Sequence, residues 1–296
     1  MQIPVTTRGR AHPYHPRMRP RPLSRAAVVV PLFTMILAAE EAAILRNDGE
    51  PMRVAYACKE ADLQWAGMTC SPDEPCPVYL ELSAAVPDGR KIFVSGNLHS
   101  TSATLTSVLL MSDDAGATWK EPAPRFRGAA LDQLQFGSEF GDAQHGWAAG
   151  ETQVPLPRDP FFLLTTDGGD SWRQQAVGEE GTPGAIQRFW FDSADRGDLI
   201  VDAGKTSAGG RYLSYESRTG GESWEIRGKS DHLPAIRGAP PPENPDYRLR
   251  TSKDGKSWQI EKRMGEQWSP IASFLIEVAN CRIEPGQLKE PAPPQQ

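Results

Sequence analysis

No uninterrupted apolar stretch in this 296-residue chain reaches the ~20 residues that a membrane-spanning helix needs; the longest, Ala26–Ala39, has 14. Cysteine is scarce, with four residues, and the separations of 12 (Cys58 to Cys70) and 6 (Cys70 to Cys76) match no paired Cys-x-x-Cys zinc pattern. Gly-x-Ser-x-Gly, His-Glu-x-x-His and a phosphate loop are all missing. The five histidines are scattered, and His99, His145 and His232 lack the spacing of a metal set. No catalytic residue, cofactor or metal is therefore expected.

The first 39 residues hold six Arg but no Lys, Asp or Glu. A basic leader followed by a short apolar run reads as a secretory signal peptide. The expected division is a leader over 1–43, cleaved near Ala39 or Ala43, with Met18 giving a more ordinary start than Met1. An uncleaved N-terminal anchor is the alternative, and the expected membrane contact is through that segment alone. Without the first 39 residues, 26 basic residues face 38 acidic ones, a net charge of −12. An acidic domain repels nucleic-acid backbones, so no nucleic-acid partner is expected. An exported protein, periplasmic or extracellular, suits an even number of cysteines. Of the three possible pairings, the one with Cys70–Cys76 as a local staple and Cys58–Cys281 as a clasp between the ends is favoured; unpaired buried thiols are the alternative.

What the sequence does have is a repeated turn. Thr165–Trp172 reads Thr-Thr-Asp-Gly-Gly-Asp-Ser-Trp, and Ser112–Trp119, Ser217–Trp224 and Ser252–Trp258 echo it. Each follows a short apolar or aromatic run, as a β-hairpin turn does. Asp accepts hydrogen bonds from nearby backbone N–H groups, Gly supplies positive φ, and Trp starts the return strand with a large apolar surface. Ser112, Asp114, Gly116 and Trp119 fit the pattern fully, as do Thr165, Asp167, Gly169 and Trp172. The third copy (Ser217, Gly221, Trp224) has Thr219 in the Asp position, which predicts a weaker brace. The fourth (Ser252, Asp254, Trp258) is one residue short.

The unit is longer than the turn. Strand signals fall at Val78–Leu82, Ile92–Gly96 and Thr104–Met111, then at Leu131–Phe136, Gly146–Gly150 and Phe161–Leu164, then at Ile186–Phe191, Leu199–Gly204 and Arg211–Tyr215. A Gly closes each second strand (Gly96, Gly150, Gly204), and the three box Trp are 53 and 52 residues apart. Four short strands per unit predict an all-β chain, a propeller of four-stranded antiparallel blades, about four to five in number. A Pro-rich insert at 233–246 precedes a shortened fourth unit, Tyr247–Arg250, Trp258–Arg263 and Trp268–Val278. The propeller domain is expected over 44–283, with Glu40–Met52 as a flexible lead-in, a possible strand at Val54–Cys58, and a disordered tail over 284–296. N- and C-terminal strands are expected to complete the ring; a β-sandwich, or an incomplete propeller that closes by oligomerising, is the competing architecture.

These turns resemble the Asp-box (BNR) repeats of sialidase-like β-propellers, and their order is similar to the photosystem II assembly-factor group of propellers. The resemblance runs from about Val78 to Trp258. It implies a rigid ring of blades with variable loops, and a family of mixed functions. The Arg-Ile-Pro signature of sialidases is missing, and Tyr215–Glu216 reads as structural, since neighbours on a strand point to opposite faces. Box turns share a face with the loops between strands one and two. The opposite face carries the longer loops, with Asn97, His99, Arg125, Arg127, Arg158, Asp159, Lys205 and His232 as the candidate binding face. The expected function is a non-enzymatic scaffold for a protein partner, assembly- or stability-factor-like. A sialidase-like glycoside hydrolase or a glycan-binding propeller is the alternative.

Overall fold

The computed structural model describes residues 43–153, 156–204, 210–236, 238–239 and 246–282, all within one unit, Glu41–Gln296. The leader, Lys205, part of the Pro-rich insert and the tail lie outside them.

Seventeen strands are arranged as four antiparallel sheets and a short pair. A two-residue strand, β1 (Leu45–Arg46), and the helix α1 (Glu60–Trp65) precede the first sheet. That sheet holds β2 (Cys76–Asp88), β3 (Lys91–His99) and β4 (Thr104–Ser112), extended by β5 (Thr118–Trp119), which pairs with β1. The second runs in order through β6 (Ala129–Phe136), β7 (Gly146–Thr152), β8 (Arg158–Thr165) and β9 (Arg173–Ala176). The third runs through β10 (Ala185–Phe191), β11 (Gly197–Asp202), β12 (Tyr212–Ser217) and β13 (Glu225–Ser230). The fourth has three strands, β14 (Tyr247–Thr251), β15 (Ser257–Met264) and β16 (Gln267–Leu275). The last strand, β17 (Glu277–Cys281), returns to pair with β2, so the C-terminal end of the described chain completes the first sheet. The fold is all-β, a β-propeller of four-stranded antiparallel blades.

The box turns lock each sheet onto the one before it. In the second box, Asp167 Oδ1 accepts the Thr165 hydroxyl (2.7 Å) and the Ser171 N–H (3.0 Å), while Oδ2 accepts the Ser171 hydroxyl (2.6 Å). Gly169 N–H donates to Thr165 Oγ1, and Trp172 Nε1 closes the turn on the Gly169 carbonyl at 3.0 Å. The first box repeats these bonds. Gly169, at φ +84°, lies so close to Phe93 of the first sheet that a Cβ would sit 2.3 Å from its ring, and Trp172 meets Phe93 and Phe136 edge-on. Gly116 rests likewise against the Ile271 carbonyl of the fourth sheet, where Asn47 Nδ2 bridges both backbone carbonyls (2.9 and 2.8 Å). The third box sits on the second sheet, its Gly220 carbonyl accepting Trp147 Nε1 at 2.9 Å.

The order is therefore fourth, first, second, third, with three apolar cores between neighbours. The first core joins Phe274 and Ile260 to Val94 and Trp119, the second Phe93 and Leu109 to Phe136 and Trp172, and the third Trp147 and Phe162 to Phe191 and Tyr215. Among the described residues no fourth apolar core joins the third sheet to the fourth.

Several expectations change. The lead-in is held rather than flexible: β1 pairs with β5, Asn47 bridges two sheets, and Met52 makes a parallel bridge to Phe274. Val54 is buried, but 53–59 forms no strand because the segment passes over the first core without a ladder partner. Thr219 braces the third box in part, accepting the Ser223 N–H at 2.9 Å, yet Trp224 Nε1 is buried with no partner. The shortened fourth box sends Trp258 Nε1 to the Leu80 carbonyl of β2 (2.8 Å) instead of to its own turn. The cysteines pair as Cys58–Cys281 and Cys70–Cys76; the first ties β17 to the segment before α1.

Two substitutions test the brace. Asp167→Ala removes three hydrogen bonds and should lower the unfolding free energy by about 1–2 kcal/mol. The Ser171 hydroxyl, then its N–H, hold the Asp167 carboxyl at about 2, below its ordinary 3.8. A depressed carboxylate stabilises above its unfolded pKa, so the difference between wild type and variant should shrink as pH falls from 3.8 toward about 2. Thr219→Asp should restore the missing brace and raise stability by about 0.5–1 kcal/mol in urea titrations.

Candidate functional site

The first strands of the sheets, β14, β2, β6 and β10, meet one another in turn. β2 carries a bulge between Leu82 and Ala84, β6 one between Leu131 and Gln133, and β10 one between Ile186 and Arg188. A bulge leaves one residue out of the ladder and re-aims its side chain. Here the extra residues are Ser83, Asp132 and Gln187. Ser83 and Asp132 come together across the sheets, the hydroxyl donating to Asp132 Oδ1 at 3.4 Å. Glycine makes the first two bulges possible. A Cβ on Gly96 would lie 2.0 Å from the Glu81 carbonyl oxygen, and one on Gly150 would lie 2.1 Å from that of Ala130. Gly204 is not their equivalent: Val201 occupies that register, and Gly204 follows the end of β11.

Behind Asp132 is Glu151, 3% exposed. Its Oε1 accepts Gln153 Nε2 (2.7 Å) and its Oε2 accepts the Ile186 N–H (3.3 Å). Burial, and then the charge of Asp132, push Glu151 up to about 8. Asp132 is raised as well, by burial above all, with Glu81 adding to it. Glu81 stands on β2 opposite Asn97 of β3, whose Nδ2 donates to Glu81 Oε2 at 3.3 Å.

Glu81 opens onto a recess of about 520 Å³, lined also by His99, Ser100, Ser102, Thr104 and Gln153. The loop Ser100–Ala103 is fixed by Ser100 Oγ, which accepts the N–H groups of Ser102 (3.2 Å) and Ala103 (3.0 Å). On its other side is a smaller recess of about 320 Å³ beside Cys76 and Pro77. Both recesses include the loop joining strands two and three of the first sheet. The box turns sit at the opposite end, beside the one–two turns, as Lys91 Nζ bonded to the Gly168 carbonyl (2.8 Å) makes plain.

Of the eight residues singled out from the sequence, Asn97 and His99 belong to this site. Both lie within β3, which runs further than expected; His99 Nδ1 donates to the Ser100 carbonyl at 2.8 Å. Arg125 is held by both oxygens of Glu121, and Arg127 by Asp62 of α1 (2.6 Å). Arg158 starts β8, and Asp159 accepts the Gly181 N–H at 2.5 Å, bracing a neighbouring loop. His232 is exposed beyond the third sheet, and Lys205 is outside the described residues. Nothing local in the sequence marks Glu81, Asp132 or Glu151; the glycines opposite the two bulges are the visible sign.

Tyr215 and Glu216 do point to opposite faces. Tyr215 packs in the third core, while Glu216 accepts Arg196 (3.5 Å), Arg218 (3.3 Å) and Arg227. Three arginines thus gather beside a Tyr–Glu pair, but one buried carboxylate holds all three and the phenol is on the other side of the sheet.

Neither a family model nor a curated protein matches the sequence. Among solved structures, the chain is similar to YCF48 bound to a D1 peptide, at 17% identity and a TM-score of 0.38, covering 68% of this chain and 56% of that one. It is similar to YCF48 from Cyanidioschyzon merolae at 15% identity and TM-score 0.31 (67% and 57% covered), and to a GH74 xyloglucanase from Xanthomonas campestris at 15% and 0.30 (64% and 29%). The chain thus spans little more than half the length of the two YCF48 chains. The propeller assignment rests on the four sheets and their stacking.

The buried pair has a signature in stability. A carboxyl whose folded pKa is raised stabilises fully below its unfolded value, 4.5 for Glu151, and loses that contribution as pH rises through about 8. Glu151→Gln removes the titrating group but offers one acceptor oxygen to the two donors, so it should flatten this slope at some cost in stability, with wild type losing ground to the variant as pH rises from ~5 to ~9. Gly150→Ala must open the β6 bulge and should cost about 1–3 kcal/mol in chemical unfolding.

Proposed function

We propose that this protein is an exported, non-enzymatic scaffold that binds a protein partner, in the manner of an assembly or stability factor, through the loop face opposite the box turns. The observation that carries this is the recess at Glu81, His99 and Ser100–Thr104, the larger of the two on that face, walled by strands and by a loop locked through Ser100. Rigid sheets with pinned loops present a surface at low ordering cost, which favours binding. Two disulfides support an oxidising compartment.

Glycoside hydrolysis is the weaker assignment: it needs two carboxyls flanking an open cleft, and Glu151 is 3% exposed with its oxygens taken by Gln153 Nε2 and the Ile186 N–H.

Partner capture from a native envelope extract tests the face. The pair Thr101→Arg and Ser102→Arg changes the exposed tip of the locked loop, while Asp195→Arg changes an exposed turn on the box side. The loop variant should lose the partner and the box-side variant should keep it. The opposite pattern, or turnover of a glycoside panel by wild type that Glu151→Gln abolishes, would overturn the proposal.

A further inference from the structure

We propose that the four cysteines form a thiol-exchange switch: a thiol that opens Cys58–Cys281 passes the bond on to a new pair, Cys76–Cys281, and frees Cys70. The exchange is independent of the binding role proposed above.

The sheet register carries the inference. Cys281 of β17 stands directly opposite Cys76 of β2 in the antiparallel ladder. Each is nevertheless bonded elsewhere, Cys281 to Cys58 and Cys76 to Cys70. Opposite residues in such a ladder lie on one face of the sheet, with Cα atoms about 4.5–5.5 Å apart. Disulfides bridge Cα separations of about 4.4–6.8 Å, and the two existing bonds span 5.4 and 5.3 Å. A Cys76–Cys281 bond is therefore within reach of the register as it stands. Packing brings the same residues together. Cys70 and Cys281 belong to the first apolar core, and Cys76 packs against it.

Access is one-sided. Cys58 is exposed, on a segment with no ladder partner, whereas Cys281 is 0% and Cys70 4% exposed. An outside thiolate therefore attacks the Cys58 sulfur, forming a mixed disulfide there and expelling the Cys281 thiolate. A thiolate is disfavoured in apolar surroundings, and across the ladder stands Cys76. Attack on its sulfur forms Cys76–Cys281, breaks Cys70–Cys76 and leaves a thiolate on Cys70, which takes up the proton that the outside thiol gave. A second outside thiol then attacks the mixed disulfide, releasing the Cys58 thiol and leaving as the disulfide of the two outside thiols. The protein ends with one disulfide in place of two, and the two electrons come from the thiol pair. The result differs from plain reduction. β17 stays covalently joined to β2, while 53–59 and the loop 70–75 are let go. Glu74 and Pro75 of that loop wall the smaller recess, so the exchange loosens the recess without opening the first sheet.

The test treats the native chain with reduced glutathione over a range that leaves its circular dichroism unchanged, blocks free thiols with N-ethylmaleimide and maps the cysteine pairs in peptic peptides by mass. The Cys58–Cys281 and Cys70–Cys76 pairs should be lost together and a Cys76–Cys281 pair should replace them. Cys58 should then carry glutathione or the maleimide, and Cys70 the maleimide. Loss of Cys58–Cys281 with Cys70–Cys76 intact would overturn the inference, as would four blocked thiols reached without the new pair. So would survival of both native pairs, or the appearance of Cys58–Cys76 or Cys70–Cys281, which marks general reshuffling. A second readout uses Cys58→Ser combined with Cys70→Ser, which should close Cys76–Cys281 in air and take up no maleimide. Two labelled thiols in that variant while it remains folded would also overturn the inference, and the wild-type map decides the matter where the variant does not fold.

Discussion

The molecule depends on one local arrangement used three times: a carboxylate or hydroxyl gathers the N–H groups of a tight turn, and the glycine so exposed is pressed against the sheet that came before. The bonds inside the turn are each worth little. Their effect is to present a flat backbone surface where any side chain would collide: a Cβ on Gly169 would stand 2.3 Å from the Phe93 ring. Turn chemistry and inter-sheet packing are thus one feature, and the tryptophan completes both by closing the turn with its Nε1 and filling the core with its ring.

The candidate site has a different origin. It comes from irregularity at the other strand of each sheet, where bulges at Ser83 and Asp132 turn polar side chains out of the ladder and toward each other. The box ends are regular and braced, while the recess lies beside bulges. Local departures from regularity of this kind are where binding chemistry tends to collect. The stack of braced turns is what holds two such bulges in fixed relation.

Much of the architecture could be read from the residues. Asp114, Asp167 and their glycines are legible because a turn is specified by residues within a few positions of one another. The return of the C-terminal strand was foreshadowed by an even cysteine count with Cys281 far from the rest. The carboxyl cluster was not legible. A bulge is defined by register against a partner strand, so nothing local marks Asp132 as extra to the ladder. Glu151 reads as the start of a polar loop, yet β7 runs past it and buries it. Arg125 and Arg127 look free in the sequence and are taken up by Glu121 and Asp62, contacts across turns that no short motif encodes. The Gly96 and Gly150 spacing was visible, but only the strand pairing shows that it marks bulges, and Gly204 shows that the same spacing can lack one.

Among the described residues the four sheets share three apolar cores, so each sheet draws support from its neighbours. The fourth and third sheets differ in what else supports them. The fourth sheet is held by Met52 and Asn47 from a distant part of the chain, and β17, which follows it directly, pairs with β2 under the Cys58–Cys281 bond. The third shares its apolar core with the second, and carries a face where Glu216 collects three guanidinium groups and β13 alternates Glu225, Arg227 and Lys229. Opening should therefore propagate from β13 inward, with amide exchange fastest there and slowest around Trp119, so that the chain frays from one side while the end stapled by sulfur stays shut.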